Sequence, residues 1–278
     1  MFRADLHSHT TCSDGSATPQ EIIELACAQG LQGLSITDHD TITAYSEIKE
    51  LAEKKGIFLL PGVEFSAVHL ETNVHILGYS FRLDSDCIHD FCRKHQVRRL
   101  ERNQAILDRL STYGMPLTME EVIPFKPSIQ KSIGRPHIAT AMVKKGYVSS
   151  IQEAFQNFIG EGKSCYAPGN AFTVEETVNL IHQAKGLAII AHPHLIENVK
   201  VVKSLLEINF DGIEGYYGRF PPQAQERWIK IGKRKNWIIT GGSDFHGTIK
   251  PHLPLGSSWV NEETFLILYH HYQQNSTP

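Results

Sequence analysis

The 278-residue sequence is short of several things. It has no Cys-x-x-Cys pair, and its five cysteines (Cys12, Cys27, Cys87, Cys92, Cys165) are an odd, scattered set. That argues against a disulfide scaffold and against a thiolate zinc site, and for incidental thiols in a reducing compartment. No apolar run exceeds strand size. Leu187 to Ala191 is typical, against the roughly 20 residues needed to span a bilayer. The opening Met-Phe-Arg-Ala-Asp-Leu-His holds no apolar stretch of a secretory signal. The expectation from these absences is a cytoplasmic protein with no membrane association and no obligate protein partner. Cationic excess is missing too: 27 Lys+Arg against 30 Asp+Glu leave a net charge of -3, unlike a surface built throughout to grip nucleic acid. With 41% hydrophobic and 21% charged residues the composition is that of an ordinary folded chain, which excludes disorder, collagen-like repeats and coiled coil.

Histidine, at 15 residues, is what the sequence has in surplus. Its location depends on the organisation of the chain. Short apolar runs alternate with helical patterns, which reads as β/α units and a mostly parallel sheet. Strands are expected at Phe2–Leu6, Gly33–Thr37, Phe58–Glu64, Val74–Tyr79, Leu187–Ala191, Gly212–Tyr216, Ile238–Gly242 and Ser257–Val260. Thr18-Pro19-Gln20-Glu21 is a capping box with proline at the first helical position, and Gly30 ends that helix. Thr173-Val174-Glu175-Glu176 repeats the box, and a further helix fills Ala44–Lys55 before Gly56.

From about Arg82 to Lys163 the strand pattern stops. A long helical stretch, Asp86–Thr112, leads into a connection carrying Pro116, Pro124 and Pro127, and more helix follows Pro136. The expected organisation is a first α/β part at 1–81, a helical insertion at 82–163 and a second α/β part at 164–278. The insertion holds 13 Lys+Arg and 9 Asp+Glu, a net of +4, whereas the rest holds 14 and 21, a net of -7. The mild total therefore conceals an acidic scaffold and a basic insertion. Arg98, Arg102 and Arg109 share one helix face within it.

Polar residues with ligand chemistry follow most of the apolar runs. Asp5-Leu6-His7-Ser8-His9 ends the first, with Asp14 just beyond, and Thr37-Asp38-His39-Asp40 ends the second. Glu64 closes the third and His75 lies within the fourth. His192-Pro193-His194 and Asp244-Phe245-His246 follow two later runs. In a β/α barrel or open α/β sheet the C-terminal strand ends share one rim, so residues more than 200 positions apart converge there. A single histidine after a strand is usually a capping or loop residue. Six ligand-bearing positions are harder to dismiss, because buried like charges repel unless cations join them. Histidine and carboxylate without cysteine suit Zn, Mn or Fe, and Glu64 is the candidate bridge between two ions.

These motifs, with Gly62-Val63-Glu64 and Ser243-Asp244-Phe245-His246, resemble those of the PHP (polymerase and histidinol phosphatase) superfamily, in the right order from residue 5 to residue 247. The resemblance implies a distorted (β/α)7 TIM-like barrel with a helical insert and a two- or three-metal phosphoesterase centre. It assigns His7, His9, Glu64 and Asp244 to one ion, Glu64, His75 and His192 to a second, and Asp14, His39 and His246 to a third. Some members carry histidine where this chain has Asp14, and the oxygen ligand favours Mn²⁺ or loosens the third site. The expected cofactors are two or three divalent ions, Mn²⁺ first, with Zn²⁺ or Fe²⁺ as alternatives. Gly134-Arg135-Pro136-His137, Gly162-Lys163 with Tyr166, and Thr240-Gly241-Gly242-Ser243 further resemble a subgroup of 3′,5′-nucleoside bisphosphate phosphatases and 5′–3′ exoribonucleases of the ribonuclease AM kind.

The activity so implied is hydrolysis of phosphate esters in nucleotides or short 5′-phosphorylated RNA by a metal-bridged hydroxide. Arg135 is the expected phosphate clamp, with Lys163 and Arg219 adding charge and His194 donating a proton or binding phosphate. Asp5, Asp38 and Asp40 are expected to orient ligand imidazoles. The alternatives are a histidinol-phosphatase-like phosphomonoesterase and a non-catalytic, metal-stabilised module that binds RNA or a partner. A metal-dependent amidohydrolase would need a lysine at a strand end, and none of the runs above supplies one.

Overall fold

The structure is a computed structural model that describes residues 1–125, 133–169 and 172–276, so the expected Pro127 of the insertion lies outside the described residues. In chain order the elements are β1 (Ala4–Asp5), α1 (Pro19–Ala28), β2 (Gly33–Leu34), α2 (Tyr45–Lys55), β3 (Phe58–Leu59), β4 (Gly62–His69), β5 (Thr72–Tyr79) and α3 (Asp86–Thr112). There follow α4 (Met119–Val122), α5 (Arg135–Lys144), α6 (Ile151–Ala154), α7 (Val174–Gln183), β6 (Leu187–Ile190), α8 (Val199–Leu205), β7 (Gly212–Tyr217), α9 (Pro222–Lys235), β8 (Ile238–Gly242) and α10 (Glu262–Ser276). A π-helical turn, Phe155–Ile159, continues α6.

The chain divides into two compact units, Met1–Cys92 with Phe172–Pro278, and Arg93–Ala171. The first is a mixed α/β fold with two sheets, β1-β2-β3 and β4-β5-β6-β7-β8, and no closed barrel is formed among the described residues. The three-stranded sheet is parallel, as are the β6-β7 and β7-β8 pairs. The pairs β4-β5 and β5-β6 are antiparallel, so the expected mostly parallel arrangement holds for four of the six strand pairs. The expected Phe58–Glu64 strand is interrupted at Leu60-Pro61, where the chain leaves one sheet and enters the other. Ser257–Val260 contributes only an isolated bridge, Val260 to Ala4.

Local signals account for the helix ends. Thr18 Oγ1 accepts from Glu21 N–H at 3.2 Å while the Glu21 carboxylate accepts from Thr18 N–H at 2.7 Å, and Thr173 with Glu176 does the same for α7. Gly56 ends α2 at φ +70, a conformation that costs glycine little. The core of this unit joins α1 (Ile22, Ile23), α2 (Ile48), β4 (Val63, Phe65) and α7 (Val178, Ile181), all essentially inaccessible. A second layer, Leu6, Leu77, Tyr79, Ile189 and Phe265, seats α10.

The other unit is helical, with no strand among its described residues. Ile106, Leu107 and Leu110 of α3 pack with Ile138 and Met142 of α5 around an apolar centre of its own. No helix among the described residues is long and apolar enough to cross a membrane.

Candidate metal centre

The short parallel strands matter for where they let go. After β1 the chain leaves the ladder at Leu6, and single contacts then stitch the sheets together. His9 N–H donates to Phe245 C=O at 2.8 Å, Asp244 N–H to His7 C=O at 2.9 Å, Thr37 N–H to Ser8 C=O at 2.8 Å, and Asp40 N–H to Glu64 C=O at 3.0 Å. Four ligand-bearing segments are thereby held edge to edge. Gly242 approaches so closely that a Cβ there would lie 2.4 Å from the His7 backbone nitrogen. Two of the candidate ligands, Asp244 at φ +55 and His192 at φ +24, sit on left-handed backbone, a strain that concentrates at functional sites.

Glu64 is at the centre of the cluster. It is the third residue of β4 rather than the end of a strand, and 1% exposed. Its two oxygens face different groups. Oε1 lies 2.9 Å from His75 Nδ1 and 2.8 Å from His192 Nε2, whereas Oε2 lies 3.3 Å from His7 Nε2, 3.0 Å from His9 Nε2 and 3.3 Å from His39 Nδ1. Asp244 Oδ1 approaches His7 and His9 Nε2 at 3.6 and 3.4 Å. Asp14, half exposed on its turn, lies 3.3 Å from His246, 3.6 Å from His9 and 3.7 Å from His39. All nine sequence-predicted ligands thus meet in one cluster. Three sets within it have donor atoms that all fall within 4.8 Å of one another: His9, Asp14, His39 and His246; His7, His9 and Glu64; and His39, Glu64 and His75.

The donor set fits divalent cations on two observations. His7 Nε2, both ring nitrogens of His9, His39 Nδ1 and Glu64 Oε2 are buried and make no hydrogen bond, an arrangement proteins rarely tolerate without a further partner. The charge state says the same. Burial alone would lower His7, yet Glu214 and Glu64 hold its pKa well above the ordinary value. Burial likewise opposes His9, but the nearby carboxylates of Asp244 and Glu64 raise it to about 9. Burial pushes His39 down to about 3 despite Glu64 and Asp14. Glu64 stays well below the carboxylate range: burial acts against ionisation, and His39, His75 and His7 outweigh it. In the protein alone, protons on His7 and His9 supply the positive charge that the carboxylates require.

A residue that orients a candidate imidazole was missed in the sequence. Glu214, fully buried in β7, accepts from His7 Nδ1 at 2.9 Å with one oxygen and from His192 N–H at 2.7 Å with the other. Its signal was an acid inside an apolar strand, Gly212-Ile213-Glu214-Gly215, the same pattern that marked Glu64. The expected orienters bond elsewhere. Asp5 accepts from the His7, Ser243 and Gly256 amides, and burial pushes it up to about 6. Asp38 accepts from Thr10 N–H and O–H and from Ser13 O–H, shaping the loop that carries Asp14. Asp40 takes the N–H and O–H of Ser66. Tyr217 and Lys250, also unforeseen, donate to Asp244 Oδ2 at 2.7 and 2.8 Å.

The expected substrate groups are placed as follows. His194 stacks on Phe220 and Tyr217, with ring centroids 5.4 and 5.8 Å away, and both its nitrogens are buried without a hydrogen bond. Burial, then the charge of His192, pushes it down to about 4, so it is neutral at pH 7. Arg219 is exposed, its guanidinium 5.9 Å from the Phe220 ring centre. Within the helical unit, Arg135 opens α5 and stacks on Tyr166 and Phe155 at 5.5 and 5.8 Å, and Lys163 is exposed on a turn.

The PHP domain matches residues 5–185. The chain belongs to the PHP family. The 5′-3′ exoribonuclease Rnm of Escherichia coli is 30% identical over 249 residues, covering 87% of this chain and 84% of that protein. The 3′,5′-nucleoside bisphosphate phosphatase of Chromobacterium violaceum is 28% identical over 251 residues, covering 88% of each. A solved chain from Bifidobacterium adolescentis, described as a metal-dependent phosphoesterase, superposes with a TM-score of 0.82 at 30% identity over 96% of both chains. The PHP chain described here is accordingly a phosphoesterase, a hydrolase of phosphoric ester bonds.

Proposed function

We propose that this PHP phosphoesterase hydrolyses phosphate esters of nucleotides or of short 5′-phosphorylated RNA, in the manner of a 3′,5′-nucleoside bisphosphate phosphatase or a 5′–3′ exoribonuclease. The observation that carries the reading is the divided Glu64 carboxylate, one oxygen toward His75 and His192 and the other toward His7, His9 and His39. We take the nine residues as the ligands of two or three divalent ions, with Mn²⁺ the first to test because oxygen donors accompany imidazole and no cysteine is present in the set. The two sheets are read as arcs of a distorted barrel, since isolated bridges from Ser8 to Phe245 and from His39 to Glu64 span the gaps between them.

Divalent ions bound there supply Lewis acidity toward a phosphoryl group and lower the pKa of water. The protein's part is geometric and electrostatic. Glu214 fixes the His7 tautomer so that Nε2 presents its lone pair to the cluster. Asp244 C=O accepts from His246 Nδ1 at 2.9 Å and leaves Nε2 toward Asp14. The burial of His7, His9 and Glu64 strengthens every charge interaction at the reacting centre. Arg219 and His194 are assigned to the substrate side, and Arg135 is suited to two phosphate oxygens by its planar fork.

The test is a product-resolved assay of the Mn²⁺-loaded protein on 3′-phosphoadenosine 5′-phosphate, 5′-phosphorylated RNA and histidinol phosphate. The expected result is clear preference for one of the first two. Histidinol phosphate as the best substrate would overturn the assignment, and inactivity with every divalent ion would favour a binding module.

A further inference from the structure

We propose that Lys250 is the mobile cation that takes hold of the phosphoryl group at the metal centre, an assignment that rests on the phosphoester reading above. Among the described residues, Lys250 is the only lysine or arginine that ion-pairs with any of the nine candidate ligands. Its position is unusual. It follows the short turn Gly247–Ile249, four residues after His246, and its side chain is 35% exposed while its partner Asp244 is almost fully buried.

Asp244 uses its oxygens differently. Oδ1 faces His7, His9 and His246 at 3.6, 3.4 and 3.4 Å. Oδ2 receives Lys250 at 2.8 Å and the Tyr217 phenol at 2.7 Å. Tyr217 is 1% exposed, and its phenol is held at Oδ2 by the packing around it. Oδ2 therefore keeps a buried donor when Lys250 leaves. The ammonium is detachable and the phenol is not.

The electrostatics give it a reason to move. Divalent cations on the Oδ1 side of Asp244 share its charge and repel an ammonium only a few ångströms away. A dianionic phosphoryl group restores the balance. Lysine suits that role because it is a compact point charge with three donors on a flexible stem. Lys250 thus prefers the enzyme loaded with both ions and anion to the enzyme loaded with ions alone. The competing account is that Lys250 is a fixed strut for Asp244, and it makes the opposite forecast for metal binding.

The experiment compares the wild type with Lys250→Met, Lys250→Arg and Tyr217→Phe. Mn²⁺ affinity and binding of inorganic phosphate to the Mn²⁺-loaded protein are each measured by calorimetry, then KM and kcat on a phosphomonoester. For Lys250→Met the expected result is Mn²⁺ affinity unchanged or tighter, phosphate affinity about tenfold weaker or more, and a KM that rises by more than kcat falls. Lys250→Arg recovers part of the phosphate affinity, and Tyr217→Phe weakens Mn²⁺ binding instead. Loss of Mn²⁺ affinity in Lys250→Met with phosphate binding unchanged in the loaded protein would overturn the proposal in favour of the strut. Lys250-dependent phosphate binding without hydrolysis of any ester would support the assignment and count against the hydrolase reading, so the two fail separately.

Discussion

Glu214→Gln removes one negative charge and almost no volume from the middle of β7. In the native arrangement both carboxylate oxygens accept, one from His7 Nδ1–H at 2.9 Å and the other from the His192 amide at 2.7 Å. A glutamine offers one oxygen and one NH₂, so whichever way it turns, one donor faces another donor. If the NH₂ faces His7, the imidazole escapes by moving its proton to Nε2, the nitrogen that points at Glu64 and Asp244. That nitrogen then cannot ligate. If the NH₂ faces His192, a buried amide is left unpaired beside a ligand already on left-handed backbone. Either loss is a charge-assisted hydrogen bond in a buried site, worth about 1.5–3 kcal/mol. Metal affinity is therefore expected to fall about 10- to 100-fold, the range typical of a group that orients a ligand from behind. Mn²⁺ titration against a competing chelator measures this directly, with circular dichroism to confirm the native fold. A folded Glu214→Gln protein with wild-type Mn²⁺ affinity would refute the reasoning.

Further outcomes follow from the same geometry. The metal-free protein is expected to be most stable near pH 6.5. His9, raised to about 9, contributes about 3 kcal/mol that is complete below its unfolded pKa and is lost as the pH climbs from 6.5 to 9. His39, lowered to about 3, weakens the fold as the pH drops below 6.5, because the unfolded chain takes a proton that the folded one refuses. Melting curves across pH test both, and a metal-free melting temperature that rises between pH 7 and 9 would contradict the first. Mn²⁺ binding should release protons at pH 7, as buffers of different ionisation enthalpy reveal in calorimetry. Glu64→Gln should lose more than one ion by elemental analysis, because both of its oxygens face imidazoles. Gly242→Ala should cost about 3 kcal/mol or more, since backbone rather than a flexible side chain meets the added methyl. A denaturation midpoint close to the wild type would refute that.

The sequence by itself determined which histidines and carboxylates were candidates for one cluster, and the helix ends. His7, His9, His39 and His246 were legible because each is a polar residue just beyond an apolar run, and several such positions together are costly to bury unless cations join them. Capping boxes at Thr18 and Thr173 are local hydrogen bonds, so they survive unchanged into the fold. The long helix at Asp86–Thr112 was legible from its helical pattern, which is also local. What the tertiary structure alone decided were the contacts made at a distance. The β4-β5 hairpin turns through Leu70 and Glu71, both at positive φ, without the Asn-Gly or Asp-Gly that normally announces such a turn. Glu64 consequently entered the site from within an antiparallel strand, not from a strand end. Glu214 carried the pattern of a candidate ligand but holds candidate ligands in place, a difference visible only once its oxygens meet His7 and the His192 amide across 207 and 22 residues. Tyr217 and Lys250 gave no signal at all. Their roles come from one oxygen of Asp244, whose direction is set by a strained backbone and the packing of Gly242 against His7. Composition and periodicity choose which residues are buried; the close approach of backbones decides which way their last atoms point.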